Sequence, residues 1–128
     1  ALVWGIVKDD EGRIEGNIGR DPRDRMQMTV FPEGDQGKTA VTHYSVLERL
    51  GYVTLVKCRL ETGRTHQIRV HMADLGHPVV GDRKYGAAAS PLNRLCLHAH
   101  ILELVNPVTG RDMLFKAPVP KDFYRLVR

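Results

Sequence analysis

Apolar and polar residues alternate along several short runs of this chain, as expected for strands that bury one face. The two clearest runs each place four residues on one face, and these are Ala40, Thr42, Tyr44 and Val46, then Thr54, Val56, Cys58 and Leu60. A glycine turn at Leu50-Gly51 separates the two runs. The pattern therefore predicts a β-hairpin in the middle of the chain.

Shorter patterns predict further strands over residues 1–7, 13–19, 26–30, 95–105 and 112–117. One helix is predicted to start after a threonine cap, at Thr62 or Thr65, and to end at Gly76. A terminal helix is predicted over 121–128, and a long ordered loop over 78–93. Together these elements indicate one α+β domain, residues 1–128, with a mainly antiparallel, mixed sheet and a few helices.

Composition agrees with a folded domain, because 42% of the 128 residues are hydrophobic and 27% are charged. No apolar run has the length of a membrane span, and no signal peptide pattern is present, so we expect a cytoplasmic protein. The two cysteines, Cys58 and Cys96, lie far apart in strand-like runs. We expect both to be buried small hydrophobes rather than a disulfide or redox pair.

The formal net charge of +4 is unevenly distributed. Residues 1–40 contain six Lys or Arg and eight Asp or Glu, a balance of −2, whereas residues 41–128 contain thirteen and seven, a balance of +6. Clustered basic charge is typical of proteins that bind a polyanion, although many basic proteins do not. The charge pattern favours a nucleic-acid partner without establishing one.

Six histidines raise the question of a metal site. His66 and His71 are five residues apart, which on a helix points them in different directions, and His98 and His100 have no third ligand at a familiar spacing. We therefore predict no metal. Neither serine lies in a Gly-x-Ser-x-Gly turn, so hydrolase chemistry is not indicated either.

The strongest constellation of polar residues is the segment Gly63-Arg64-Thr65-His66-Gln67-Ile68-Arg69-Val70-His71. Arg69 lies beside the apolar residues Ile68, Met72 and Leu75, and a guanidinium near a core requires an anionic partner or several carbonyls. That partner can be a functional carboxylate or phosphate, or a structural one. The residues alone leave both alternatives open.

Residues 60–72, followed by Gly76-His77-Pro78, Gly81-Asp82 and Tyr85-Gly86, resemble the signature of the RluA-type RNA pseudouridine synthases. Similar segments occur at residues 40–44, 97–99 and 115–120, so the resemblance covers essentially the whole chain. It implies a pseudouridine-synthase-like fold and an enzyme that isomerises uridine in RNA without cofactor or metal. In such enzymes an essential aspartate of a His-Arg-Leu-Asp motif pairs with an arginine, and that role falls on Arg69 as the catalytic residue of this chain.

The chain also departs from that family. It contains no His-Arg-Leu-Asp segment, and the family's tyrosine would lie just before Ala1. We therefore expect a fragment, truncated at the N-terminus, that corresponds to the C-terminal portion of a catalytic domain and is inactive without the missing half. The alternative is a non-catalytic RNA-binding module that retains the family surface.

The expected partner is RNA, and the loop at Gly19–Met26 resembles members that act on large-subunit ribosomal RNA, with transfer RNA as the second choice. We expect Arg64, Thr65 and His66 of the motif to form part of an RNA-facing wall. Phosphate contacts are expected from Arg64, Arg83 and Lys84, because their charge lies in or near the motif.

Overall fold

A computed structural model describes residues 1–31, 36–86, 94–99, 101–105, 111–118 and 120. Its elements are β1 (Leu2–Trp4), β2 (Glu11–Glu15), β3 (Asn17–Asp21), β4 (Asp24–Phe31), β5 (Val41–Arg49), β6 (Val53–Leu60), α1 (Gln67–Asp74), β7 (Ile101–Val105) and β8 (Asp112–Lys116). All pairs among these strands are antiparallel, which confirms the predicted fold class. The predicted helix over 121–128 and loop residues 87–93 lie outside the described residues.

The main sheet has the strand order β1-β6-β5-β2. Its centre is the predicted hairpin of β5 and β6, in which Thr42 lies opposite Leu60 and Tyr44 opposite Cys58. These residues therefore share one face, as the alternation predicted. Two further pairs, β3 with β4 and β7 with β8, form separate two-stranded sheets.

Two predicted strands are wrong in extent because glycines interrupt them. The strand predicted over 1–7 ends at Trp4, and Gly5 adopts a φ of +84° that an extended strand does not allow. The strand predicted over 13–19 divides at Gly16 into β2, which stays in the main sheet, and β3, which pairs with β4. The strand predicted over 95–105 is also shorter, because only β7 is regular.

The helix α1 is confirmed, but its threonine cap is wrong. The residue before the helix is His66, which has a left-handed φ of +55° and makes no side-chain cap. The helix ends as predicted, since Gly76 has a φ of +95° and His77 N–H donates to the carbonyl oxygen of Met72 at 2.9 Å. This is the Schellman arrangement, which glycine favours. No described helix has the length and apolar character that a membrane crossing requires.

Apolar side chains cover both faces of the main sheet. One face carries the buried cluster Leu2, Val53, Leu55, Val80 and Cys96. The opposite face carries Val3, Val7, Ile14, Tyr44, Val56, Met72 and Val79. Met72 belongs to α1, so the helix packs against this second face. A third cluster of Ile18, Ala40 and Val70 joins α1 to the β3-β4 sheet. Cys96 is fully buried, as predicted, whereas Cys58 is half-buried.

Candidate functional site

Arg69 on α1 forms a bidentate ion pair with Asp82, a residue of the turn that follows Val79 and Val80. Its Nε lies 2.9 Å from Oδ2 of Asp82, and its Nη2 lies 2.9 Å from Oδ1. The Asp82 side chain is fully buried, and that of Arg69 is 19% exposed. A parallel pair of charge-assisted hydrogen bonds is the strongest way in which a protein holds a guanidinium.

Tyr85 and His66 complete the cluster around Arg69. The Cζ atom of Arg69 lies 5.1 Å from the centroid of the Tyr85 ring, within the range of a cation–π contact. The Tyr85 hydroxyl lies 2.8 Å from Nδ1 of His66 and accepts the backbone N–H of Met28 at 2.9 Å. The four side chains Arg69, Asp82, Tyr85 and His66 are hereafter called the Arg69 cluster. They connect the start of α1, the turn at residues 82–85 and β4.

Electrostatic interactions set the protonation states in this cluster. Burial alone would raise the pKa of Asp82, but hydrogen bonds from Arg69 and from the backbone N–H groups of Tyr85 and Lys84 outweigh it and hold the pKa below its ordinary value. Burial lowers the pKa of His66, and the positive charges of Arg69 and Lys84 lower it further. At neutral pH the cluster therefore contains an ionised Asp82 and a neutral His66.

A second, buried polar network holds the segment before α1. Gln67 donates through Nε2 to Thr42 Oγ1 at 2.9 Å and accepts through Oε1 the hydroxyl of Thr62 at 2.7 Å. Its Oε1 also accepts the backbone N–H of Arg64 at 3.0 Å. Gln67 thus provides at the helix start the acceptor that was predicted for a threonine. This explains why α1 needs no side-chain cap from Thr62.

His71 belongs to the same network and is fully buried. Its Nε2 donates to the carbonyl oxygen of Gly16 at 3.0 Å, so its Nδ1 accepts the hydroxyl of Thr42 at 2.8 Å. The network ties α1 to β5 and to the point where β2 gives way to β3. It therefore fixes the orientation of the helix that carries Arg69.

Of the five predicted RNA-binding residues, one belongs to the Arg69 cluster. His66 is part of the Arg69 cluster, whereas Arg64 is half-buried and donates through Nε to the carbonyl oxygen of Thr39 at 2.8 Å. Thr65 and Arg83 are exposed. Lys84 is exposed too, but its Nζ donates to the carbonyl oxygen of Met26 at 2.8 Å and so also holds the turn against β4. The structure thus brings His66 together with Arg69. Arg64, Thr65, Arg83 and Lys84 are not members of the cluster.

Of the partners that the residues alone left open for Arg69, the structure shows a carboxylate within the chain. Asp82, thirteen positions along the chain, supplies that carboxylate. The reason lies in the tertiary fold, because the chain turns back after α1 and places this turn beside the helix. Among the described residues Nη1 of Arg69 makes no hydrogen bond, so one edge of the guanidinium remains available to a second anion.

Sequence reasoning did not name Asp82 and Tyr85 as site residues, although both lie in segments that carry the family resemblance, and it predicted residues 78–93 as a long ordered loop. A usable signal was present, since Asp82 directly follows the apolar Val79 and Val80 with only Gly81 between them. A carboxylate so close to a buried segment needs a cationic partner. Within the described part of the chain, no group of three His, Cys, Asp or Glu side chains is arranged to hold a metal ion.

Comparison with known proteins identifies relatives of this chain. The model of the RNA pseudouridylate synthase family matches residues 3–74. An uncharacterized RNA pseudouridine synthase of Bacillus subtilis is 49% identical over 128 residues, which cover 99% of this chain and 41% of the relative. The ribosomal large subunit pseudouridine synthase D of Neisseria meningitidis is 45% identical over 139 residues, covering 99% of this chain and 36% of the relative.

Solved structures agree in fold. Human RNA pseudouridylate synthase domain containing 1 superposes with a TM-score of 0.77 at 35% identity, over 92% of this chain and 52% of that chain. Human RNA pseudouridylate synthase domain containing 4 shares the fold with a TM-score of 0.72 at 22% identity, over 96% of this chain and 57% of that chain. This chain thus spans between 36% and 57% of the length of these proteins. From the family model and the relatives together, the chain belongs to the RNA pseudouridylate synthase family.

Proposed function

We propose that this chain contributes the Arg69-bearing part of the active site of an RNA pseudouridine synthase, an isomerase that converts uridine to pseudouridine in RNA. Family membership supports the activity. The chain spans 41% of the Bacillus relative, so it corresponds to a portion of such a protein, and we propose that this is the C-terminal portion of a catalytic domain. In this proposal the catalytic aspartate comes from a segment outside the 128 residues.

The observation that carries the proposal is the arrangement of Arg69. Asp82 binds its Nε and Nη2 at 2.9 Å each, which orients the guanidinium and leaves Nη1 without a partner among the described residues. A carboxylate placed against that edge would stay ionised, because a neighbouring positive charge favours the charged form. An ionised carboxylate is what a nucleophile or a base requires. In the proposed enzyme Arg69 keeps the catalytic aspartate charged and oriented.

We propose ribosomal RNA as the substrate, with transfer RNA as the second candidate, in the cytoplasm. The printed name of the Neisseria relative supports the first choice. Arg64, Thr65, Arg83 and Lys84 are proposed to contact phosphates next to the Arg69 cluster. His66 would contact RNA as a neutral hydrogen-bond donor, since burial and the nearby cations lower its pKa.

The test of the activity uses the full-length gene product that contains these residues. Purified protein is incubated with ribosomal RNA lacking modifications, and pseudouridine is detected by mass spectrometry of the digested RNA. We expect pseudouridine from the full-length protein and none from the 128-residue chain alone. Absence of pseudouridine from both proteins, with RNA binding retained, would favour the non-catalytic RNA-binding module instead. Formation of pseudouridine by the chain alone would contradict the proposal that the aspartate lies outside it.

The RNA contact of Arg64 is tested separately by a salt titration. Arg64→Ala in the full-length protein should weaken RNA binding and reduce the slope of log affinity against log salt by about 1, as expected for one lost phosphate contact. Lys8→Ala, which removes an exposed positive charge outside the motif, is the control. An unchanged slope for Arg64→Ala would reject this contact.

A further inference from the structure

Tyr85 contacts every other member of the Arg69 cluster. Its backbone N–H donates to Oδ1 of Asp82 at 3.1 Å, and its ring lies under the guanidinium of Arg69. Its hydroxyl joins His66 to the backbone of Met28. One side chain therefore links the turn, the helix start and β4 at the centre of the site.

The hydrogen bonds of the hydroxyl determine where the proton of His66 lies. The oxygen of Tyr85 already accepts the N–H of Met28 at 2.9 Å, and among the described residues its own hydrogen has one acceptor, Nδ1 of His66. With the hydroxyl as the donor to Nδ1, that nitrogen is unprotonated and the hydrogen of the neutral imidazole lies on Nε2. The ring of His66 meets that of Tyr85 edge-on, with centroids 5.5 Å apart, which leaves the orientation of the imidazole well defined.

The aromatic ring restricts Arg69 in a different way. Asp82 binds the Nε and Nη2 edge of the guanidinium, while the Tyr85 ring covers one of its faces. A guanidinium held at one edge and one face cannot turn without losing both contacts. The Nη1 edge, which has no partner among the described residues, therefore points in one fixed direction.

The backbone conformation of His66 is independent evidence that surrounding contacts hold this residue in place. Its φ of +55° lies in the left-handed region, and it is the only non-glycine residue with a positive φ in the described part of the chain. Such a conformation persists only where surrounding contacts compensate for the strain, and it is concentrated at functional sites. The hydrogen bond from Tyr85 is one of those contacts.

We infer that Tyr85 is a positioning residue: its ring holds Arg69 in the direction that a second anion requires, and its hydroxyl fixes His66 as the Nε2–H tautomer. This inference rests on the proposed function for its effect on the reaction. Its geometric part concerns the 128-residue chain alone and does not depend on activity.

The geometric part is tested by NMR on the chain labelled with ¹⁵N. Long-range ¹H–¹⁵N spectra distinguish the two imidazole nitrogens, and we expect Nδ1 of His66 to be unprotonated and Nε2 to be protonated at pH 7. In Tyr85→Phe the ring remains but the hydroxyl is lost, so the ¹⁵N shifts of His66 should move toward a mixture of tautomers. The Nε–H signal of Arg69 should persist in this variant. A proton on Nδ1 in the wild type, or unchanged His66 shifts in Tyr85→Phe, would overturn the assignment of the tautomer.

The kinetic part is tested in the full-length protein by single-turnover rates at saturating RNA. Tyr85→Phe should lower the rate less than Tyr85→Leu does, because the ring still covers Arg69. Tyr85→Leu should lower it by roughly tenfold to a hundredfold, the range expected when a reacting group is misplaced by about 1 Å. Tyr52→Leu, a similar change at an exposed tyrosine beside Trp4, should have no effect and serves as the control.

The outcomes separate this inference from the proposed function. If the wild-type full-length protein forms no pseudouridine, the proposed function fails, and the NMR result still decides whether Tyr85 fixes His66 and Arg69. If the wild type is active and Tyr85→Leu is equally fast, the positioning role is wrong. Equal losses in Tyr85→Phe and Tyr85→Leu would also contradict it, because the rate would then depend on the hydroxyl rather than on the ring.

Discussion

The ion pair of Arg69 and Asp82 provides the sharpest test of the structure. In Arg69→Leu the carboxylate of Asp82 stays fully buried but loses both side-chain donors, and Oδ2 then has no donor among the described residues. Removing one partner of a buried ion pair costs about 3–5 kcal/mol. The backbone N–H groups of Lys84 and Tyr85 still donate to Oδ1 at 3.1 Å, so we expect a loss of about 3 kcal/mol, at the lower end of that range.

A second substitution separates the charge effect from lost packing. Arg69→Leu combined with Asp82→Asn removes the buried charge, and the remaining cost should be about 1–2 kcal/mol, that of poorly paired amide groups. Arg23→Leu is the control, because Arg23 also pairs with an aspartate, Asp21, but its own side chain is 87% exposed. That change should cost less than about 1 kcal/mol.

The contribution of Asp82 to stability should depend on pH with opposite signs in the wild type and in Arg69→Leu. In the wild type the pKa of Asp82 is lowered, so its contribution to stability is complete at neutral pH and is lost only as the pH falls through that low pKa. In Arg69→Leu the unpaired buried carboxyl has a raised pKa because burial disfavours its charged form, so protonation as the pH falls through that raised pKa should recover part of the lost stability.

Urea denaturation measures these free energies of unfolding, with the fluorescence of Trp4, the single tryptophan, and far-ultraviolet circular dichroism as probes. The reasoning is refuted if Arg69→Leu costs no more than Arg23→Leu. It is also refuted if Asp82→Asn brings no recovery in the Arg69→Leu background.

Two further predictions concern the surroundings of the site and use the same measurement. Gly81→Ala should prevent stable folding, because a Cβ there would overlap the carbonyl group of Arg94. Gly51→Ala, at a similar positive φ but with no atoms nearby, should cost only about 1 kcal/mol. Equal costs of the two substitutions would contradict the close approach of Gly81 to Arg94. Thr42→Val should cost about 1–3 kcal/mol, because it leaves the buried Nδ1 of His71 without a donor. Thr42→Ser keeps the hydroxyl and should lose less stability. An unchanged free energy of unfolding in Thr42→Val would contradict the assigned hydrogen bonds.

Local sequence patterns predicted the central part of the fold well. The hairpin of β5 and β6 follows from the alternation of apolar and polar residues, since neighbouring residues of a strand point to opposite faces wherever the strand lies. The end of α1 at Gly76 follows from the preference of glycine for positive φ. Both are properties of a few consecutive residues, and that is why they could be predicted without the tertiary structure.

The errors occurred where a distant contact overrode the local pattern. Residues 13–19 read as one strand, but the chain changes sheets at Gly16, whose carbonyl oxygen accepts a bond from His71, 55 positions away. The helix was expected to have a threonine cap, yet Gln67 binds Thr62 and leaves His66 at the helix start. In both cases a buried polar side chain required a hydrogen-bond partner that local reasoning could not identify.

At the site, too, the sequence determined some features and the tertiary structure determined others. By itself the sequence determined that Arg69 lies beside apolar residues on a helix and therefore needs an anion or several carbonyls, because an unpaired guanidinium is costly near a core. Only the tertiary structure decided that this partner is Asp82, that Tyr85 covers the guanidinium and that Nη1 has no partner among the described residues. Spacing along the chain does not specify which side chains meet in space. That depends on how the turn at residues 82–85 packs against α1 and β4.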